Sequence, residues 1–237
     1  MKAWREDCLA RLVASTGSVD QVVRELASIV EGLGFEYCSY VMRVPVPAAS
    51  PAVTWSSTYP RRWLDHYFSH GYLEIDPLLQ QASRDLSPIV WNDQSFSSQP
   101  AFWEEARAHD IRHGWALTTC GTRATTGMLS LARSRQAVTQ RELEAIEMKL
   151  VWLAHIVHAR IGALELQRLV PEAEHELTAR EREVLRWTAA GKTATEVGAI
   201  LGISERTITF HISSSLAKLN AVNKTQAVAK ALMLNLL

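Results

Sequence analysis

The sequence predicts an α+β chain in two parts: an N-terminal α/β/α sandwich built on an antiparallel sheet, then an all-α C-terminal module. Three observations predict this. Segments that alternate with period two lie between segments with helical spacing over roughly the first 170 residues. Helix-start signals crowd the last sixty or so. Between them, "VPEAEHE", residues 170–176, is short, acidic and opened by a proline. The expected boundaries are a domain over 1–169, a linker over 170–176 and a second domain over 177–237.

The elements follow in order. "SVDQVVRELASIVEGLG" opens with Ser18 and Gln21, a candidate capping box, and sets Val19, Val22, Val23, Leu26, Ile29, Val30 and Leu33 at helical spacing. Gly34 is the expected stop. "FEYCSYVMRV" alternates and is rich in aromatic and β-branched residues, which predicts a strand. "AVTWSST" predicts a shorter strand beyond a proline-rich connection. Pro60 suits the first turn of a helix over "PRRWLDHYFSH". "AFWEEARAHDI" predicts another helix, and "GWALTTCG" and "TGMLSLAR" two strands joined by a polar turn. "TQRELEAIEMKLVWLAHIVHARIGALELQ" predicts a long helix capped by Thr139 and Glu142, with Leu143, Ile146, Leu150, Leu153 and Val157 on one stripe.

One segment poses a question. "WLDHYFSHGYLEIDP" sets Trp63, Tyr67 and Tyr72 among apolar neighbours and then places Asp76 directly before Pro77. Asp76 either caps a helix or anchors a pocket lined by aromatic rings.

Composition narrows the class. The chain has 237 residues and is 47% apolar, ample for a packed core. Its formal charge is zero, but from Leu177 onward eight basic residues face four acidic ones, a balance of +4. Glu172, Glu174 and Glu176 form an acidic patch just before. A neutral total thus hides a basic module, which permits nucleic-acid binding. Cys8, Cys38 and Cys120 are odd in number and widely spaced, so buried free thiols are expected rather than a disulfide framework or zinc site. The N-terminus has no basic-then-apolar signal, and no apolar run approaches the ~20 residues of a membrane span. A soluble, cytoplasmic, bacterial-type protein is expected.

The C-terminal module carries the most information. Thr178 with Glu181 and Thr193 with Glu196 are capping boxes; Gly191 and Gly202 close the helices that they open. Ser204 caps the third helix, and Asn223 with Gln226 opens the fourth. A short helix, a glycine-containing turn and a longer helix form a helix-turn-helix pattern. On the third helix, Ile208, Ile212, Leu216 and Leu219 form a stripe expected to pack on Val197, Ile200 and Leu201. Arg206, Thr209, Phe210, Ser213 and Ser214 lie on other faces, suited either to a major groove or to plain solvation.

These residues carry a resemblance. "LTAREREVLRWTAAGKTATEVGAILGISERTITFHISSSLAKL" resembles the LuxR-type helix-turn-helix, with Glu181, Leu185 and Gly191 at its signature positions. Where that family often has a basic or amide residue, this chain has Thr209. The resemblance implies double-stranded DNA with an inverted-repeat site as partner. Candidate DNA contacts are Lys192, Thr193, Arg206, Thr207, Thr209, Phe210, Ser213, Ser214, Lys218 and Lys224.

The first 170 residues lack the paired acids and strand lysine of a phosphorylated receiver. They resemble instead the autoinducer-binding domain of acyl-homoserine-lactone receptors, with Trp63, Tyr67, Asp76, Pro77, Trp91 and Gly114 at its characteristic positions. With "FWEEARAHDIRHGW", Ser39 and Arg43, the chain looks closest to the orphan receptors that lack a paired synthase. The resemblance implies a quorum-sensing regulator of transcription with an acyl-homoserine lactone as effector and no cofactor. Asp76 would accept the amide N–H, Trp63 would donate to the lactone carbonyl, and Tyr59 and Ser130 to the amide carbonyl. Tyr67 and Trp91 would wall the ring. Ser39, Val41, Leu79, Phe102, Trp103 and Ala106 are candidates for the acyl tunnel, with Arg43 near its end.

Other classes stay open at this point. His109, His113, His155 and His158 are the candidates for an enzyme's bases or metal ligands, although His155 and His158 lack the glutamate of an HExxH site. His211 lies in the recognition helix. A regulator of another small molecule, or of none, is the second alternative. A homodimer is expected, because one helix reads too few base pairs to select a site. The apolar spread around Leu150, Trp152, Leu153, Ile156 and Val157, and Val228, Ala231 and Leu232 on the last helix, are its candidate surfaces; intramolecular core is the competing explanation.

Overall fold

The computed structural model describes residues 2–14, 17–46, 51–82 and 85–237. The proline-rich connection at 47–50 and the side chain of Glu174 lie outside the described residues. The chain forms two compact units. Met1–Met42, Val53–Gly121 and Thr126–Leu164 make one; Arg43–Ala52, Thr122–Thr125 and Glu165–Leu237 make the other.

The first unit is built on a five-stranded sheet in the order β2-β1-β5-β4-β3. Its strands are β1 (Tyr37–Val44), β2 (Ala52–Ser57), β3 (Ile89–Trp91), β4 (His113–Cys120) and β5 (Thr126–Arg133). β3 and β4 run antiparallel, as do β4 and β5, with Ala116 opposite both Ile89 and Ser130. Between their ends β4 and β5 are buried on both faces, so alternation there divides two cores rather than core from solvent.

Helices flank it. α1 (Lys2–Ala14) and α2 (Val19–Glu31) come first, and α2 is capped by Ser18, whose hydroxyl accepts the Gln21 N–H. α1 is not legible in the sequence: its charges fall on every side, and Cys8 and Leu12 are its buried residues. α6 (Gln140–Leu169) is the long helix, opened by the reciprocal Thr139–Glu142 box. Glu142 also takes both ends of the Arg133 guanidinium, at 2.6 and 2.7 Å, which ties the end of β5 to the start of α6. Leu143, Leu150, Leu153 and Val157 are buried within the chain itself, and Ile146 is half-buried. Trp152 meets the edge of Trp4 from α1. Much of the apolar spread expected to pair with a twin is therefore intramolecular.

The other face of the sheet carries α3 (Arg61–Ser69), α4 (Pro77–Ala82) and α5 (Pro100–Ala108). Pro60 is the N-cap of α3, one position earlier than its first turn. Cys8 and Cys38 are buried, whereas Cys120, expected to be buried, is exposed where β4 ends.

Within the second unit, α7 (Ala179–Ala189), α8 (Ala194–Leu201), α9 (Glu205–Lys218) and α10 (Lys224–Met233) follow the caps read from the sequence. Gly202 stands in the left-handed region at φ 66, where only a residue without Cβ turns cheaply into the next helix. Val184, Val197 and Ile208 form the buried core, with Leu201 and Ile212 against it. Ile200, expected in that core, points outward at 46% exposure, because α8 is too short to bury two faces. A 3-10 turn, Pro171–Glu174, lies in the expected linker.

Candidate functional site

A cavity of about 490 Å³ lies between the sheet and α3, α4 and α5. The sheet supplies Ser39 and Val41 from β1, Trp55 from β2, Trp91 from β3, and Met128 and Ser130 from β5. The helices supply Trp63 and Tyr67 from α3, Leu78 from α4, and Phe102, Trp103 and Ala106 from α5. Tyr59, Asp76, Phe96 and Ile111 complete the wall.

Asp76 answers the question posed by its segment in both ways at once. One carboxylate oxygen accepts the Leu78 N–H at 2.9 Å, in the manner of a helix cap for α4. The other accepts the Tyr67 hydroxyl at 2.9 Å inside the cavity. Burial pushes the carboxyl up from 3.8 to about 6, against the lowering pull of the Leu78 N–H and the Tyr67 hydroxyl. A charged Asp76 thus has strong unmet demand for a further donor.

The other polar atoms are placed by the sheet. The Tyr59 and Ser130 hydroxyls are 3.2 Å apart. Trp63 is buried, edge-on to Tyr67 and tilted against Phe102. Trp91 rests on Gly114 of β4, where an added Cβ would run into the indole ring and the Leu131 carbonyl. That contact is the physical reason for a glycine there. Outside the cavity, Glu105 accepts the Tyr72 hydroxyl and meets His66 Nε2 at 2.5 Å.

Eleven of the residues picked out by the sequence line this one cavity: Ser39, Val41, Tyr59, Trp63, Tyr67, Asp76, Trp91, Phe102, Trp103, Ala106 and Ser130. Two do not. Arg43 is exposed on β1, and Leu79 packs on the surrounding core while its neighbour Leu78 faces the cavity. Sequence reasoning missed Trp55, Leu78, Phe96, Ile111 and Met128. Met128 was legible from strand alternation, as it shares a face of β5 with Ser130; Trp55 stands on β2, where no site residue was named, and Phe96 and Ile111 lie in connections without a period.

The histidines are dispersed. His158 is buried beneath the opposite face of the sheet, with Nδ1 2.5 Å from the Tyr40 hydroxyl, and burial lowers it to about 4. Among the described residues no three His, Cys, Asp or Glu side chains are placed to hold a metal, and no helix is long and apolar enough to cross a membrane.

In the second unit, α9 presents Arg206, Thr209, Phe210 and Ser213 to solvent, with Phe210 at 67% exposure. Thr207 is half-buried, and the Thr209 hydroxyl donates to the Glu205 carbonyl one turn back. Lys192, Thr193 and Lys224 are exposed. Ser214 and Lys218 are otherwise engaged: both donate to Glu181, at 2.6 and 2.7 Å. Burial alone would raise Glu181, but these bonds and the Thr178 N–H outweigh it and hold the carboxyl at about 2.

Comparisons with known proteins agree with both halves. The model of the autoinducer binding domain matches residues 18–161, and that of bacterial regulatory proteins of the luxR family matches residues 175–231. Transcriptional activator protein SolR of Ralstonia nicotianae is 43% identical over 217 residues, 92% of each chain. Transcriptional activator protein AnoR of Acinetobacter nosocomialis is 37% identical over 239 residues, 100% of each. Escherichia coli SdiA superposes with a TM-score of 0.83 at 32% identity, over 99% of this chain and 98% of that one. SdiA in complex with octanoyl-rac-glycerol gives 0.78 over 98% and 95%. The chain belongs to the luxR family of bacterial regulatory proteins: it is a quorum-sensing transcriptional regulator, not an enzyme, and joins an autoinducer-binding domain to a DNA-binding helix-turn-helix.

Proposed function

We propose that the effector is an acyl-homoserine lactone, bound by the domain over 1–169, and that the domain over 177–237 reads an inverted repeat in promoter DNA as half of a cytoplasmic homodimer. The observation that carries the ligand reading is Asp76, a buried carboxylate opening into an aromatic cavity with the Tyr59 and Ser130 hydroxyls. A lactone amide N–H meets the acid, and each charge-assisted bond contributes about 1.5–3 kcal/mol. Trp63 donates to the lactone carbonyl and Trp91 walls the ring. Titration of purified Asp76→Asn and Trp63→Phe with a panel of lactones tests this. Unchanged affinity in both would sink the assignment.

A second reading has its own support. SdiA takes octanoyl-rac-glycerol, whose hydroxyls can donate to a carboxylate in place of an amide N–H. Mass spectrometry of the copurifying small molecule separates the two.

On DNA, we assign base reading to Arg206, Thr209, Phe210 and Ser213, with Thr207 beside them, and phosphate contacts to Lys192, Thr193 and Lys224. Lys218 and Ser214, expected on the DNA from sequence, are given to Glu181 instead.

A further inference from the structure

The residues that wall the cavity are buried, except for Trp55 and Tyr59, which are half-buried. A ligand therefore enters only when a wall moves. On the sheet side the strands are tied to one another through their backbones. The helical side has no such ladder, and it divides into two bodies. In the first, Tyr67 of α3 donates to Asp76, which also accepts the N–H of Leu78 on α4; the 3-10 turn Tyr72–Glu74 lies between them in the chain. In the second, the Trp103 indole of α5 donates at 2.7 Å to Asp93 of the 3-10 turn Asp93–Phe96, and the Phe96 and Trp103 rings stack at 4.4 Å.

The seam between these bodies is largely ring on ring. Phe102 of α5 meets Trp63, Tyr67 and Tyr72 of the first body at 5.7, 6.0 and 5.0 Å. Apolar burial is non-directional and re-forms after sliding. Outside the rings stands a directional contact. One oxygen of the Glu105 carboxylate, on α5, meets His66 Nε2 of α3 at 2.5 Å and accepts the Tyr72 hydroxyl. Glu105 and His66 are partly exposed, whereas Trp63 and Phe102 beneath them are buried. Hydrogen bonds within reach of water exchange for water bonds at small cost, so this contact can break and remake while the fold stays intact. None of the three residues lines the cavity.

We propose that Glu105, with His66 and Tyr72, is the clasp of a gate: the α5 body parts from the α3 body along this seam to admit and release ligand, and the clasp sets how often it does so. The proposal rests on the reading that the cavity takes an acyl ligand, whichever head group that ligand carries. The clasp closes the free and the loaded cavity alike. It slows entry and exit by one factor and leaves affinity where the cavity's own contacts set it.

The test is ligand exchange in the full chain. Protein is loaded with deuterated N-octanoyl-homoserine lactone, or separately with deuterated octanoyl-rac-glycerol, and chased with the unlabelled compound. Mass spectrometry follows release, and equilibrium titration gives the Kd. Glu105→Ala is expected to speed exchange about tenfold and to keep the Kd within about twofold of wild type. Tyr72→Phe keeps the ring on Phe102 and loses one bond, so its rate is expected to fall between the two. Asp65→Ala, which removes an exposed ion pair with Arg61 on the same helix, is expected to leave exchange unchanged. Wild-type exchange in both Glu105→Ala and Tyr72→Phe would overturn the clasp. So would faster release matched by an equal loss of affinity, which marks a contact that holds the loaded state alone. Should Glu105→Ala fail to fold, Tyr72→Phe decides by the same comparison. Binding with exchange that ignores the clasp sinks the gate and spares the ligand reading; a wild type that binds neither compound sinks both.

Discussion

Tyr67 donates its hydroxyl to Asp76 across 2.9 Å, and both residues are buried in the aromatic wall of the cavity. That bond compensates the carboxylate only in part, since burial still raises its pKa to about 6. Asp76 is protonated more readily in the fold than in the unfolded chain. Its contribution to stability is therefore complete below 3.8 and is lost as pH climbs through about 6.

Asp76→Asn removes the charge and keeps the shape. In the ligand-free protein it is expected to raise the Tm at neutral pH and leave it unchanged near pH 4, a difference on the order of 3 kcal/mol. The same variant is expected to lose ligand affinity. Thermal melts across pH check the first half, and a rise of equal size at both pH values would contradict it.

His158 behaves in the opposite sense. Burial lowers it to about 4, so the folded chain resists protonating it while the unfolded chain does not. Stability is full above the ordinary histidine value of 6.5 and falls as pH drops towards 4. Tyr40→Phe, which removes the hydroxyl at Nδ1, is expected to cost about 1–2 kcal/mol in urea denaturation at neutral pH. Gly127→Ala is expected to cost more, because a Cβ there would overlap both the Tyr40 hydroxyl and the His158 ring.

Lys218 is held by Glu181, which is 4% exposed. Lys218→Ala leaves that acid without its cation, and a loss of about 2 kcal/mol is expected in thermal unfolding of the full chain. Its effect on the salt dependence of DNA binding is expected to be negligible. Lys192→Ala and Lys224→Ala are expected to leave stability unchanged and lower the salt slope by about one each. Fluorescence anisotropy at several salt concentrations distinguishes these outcomes.

Pairing is expected to rest on the last helix rather than the long one. Leu232 is 54% exposed, Val228 is half-buried, and Ala231 is buried within its own unit. Leu232→Glu is expected to shift the ligand-bound protein towards monomer in sedimentation and to abolish discrimination between an inverted repeat and a single half-site. A variant that still dimerises moves the interface elsewhere.

The elements most legible from the residues were those with both a period and a cap. Thr178, Thr193, Ser204 and Asn223 each announce a helix, and the structure gives each a bonded cap. β3 has three residues and α4 six, too short for a period to declare itself. The cavity was legible to the extent that aromatic residues clustered in one segment and that Ser39 and Val41 share one face of β1. Leu78 and Leu79 were interchanged because a single helical turn, started by Pro77, sets which of two adjacent leucines turns inward. Ile200 was misplaced because a stripe alone does not say how much of its neighbour helix is left to cover it.

The tie from Ser214 and Lys218 to Glu181 restricts what α9 can read. Its C-terminal end holds the helix to α7, which on the proposed assignment leaves the turns from Arg206 to Ser213 for inspecting bases. Each chain then has a vocabulary of a few letters. On the proposed assignment, mutations in that short stretch are expected to change which promoters are addressed, and mutations at Ser214 or Lys218 to change how firmly the reading helix is held. New targets can thus be acquired by drift in four exposed side chains, with the signal-sensing half left as it is.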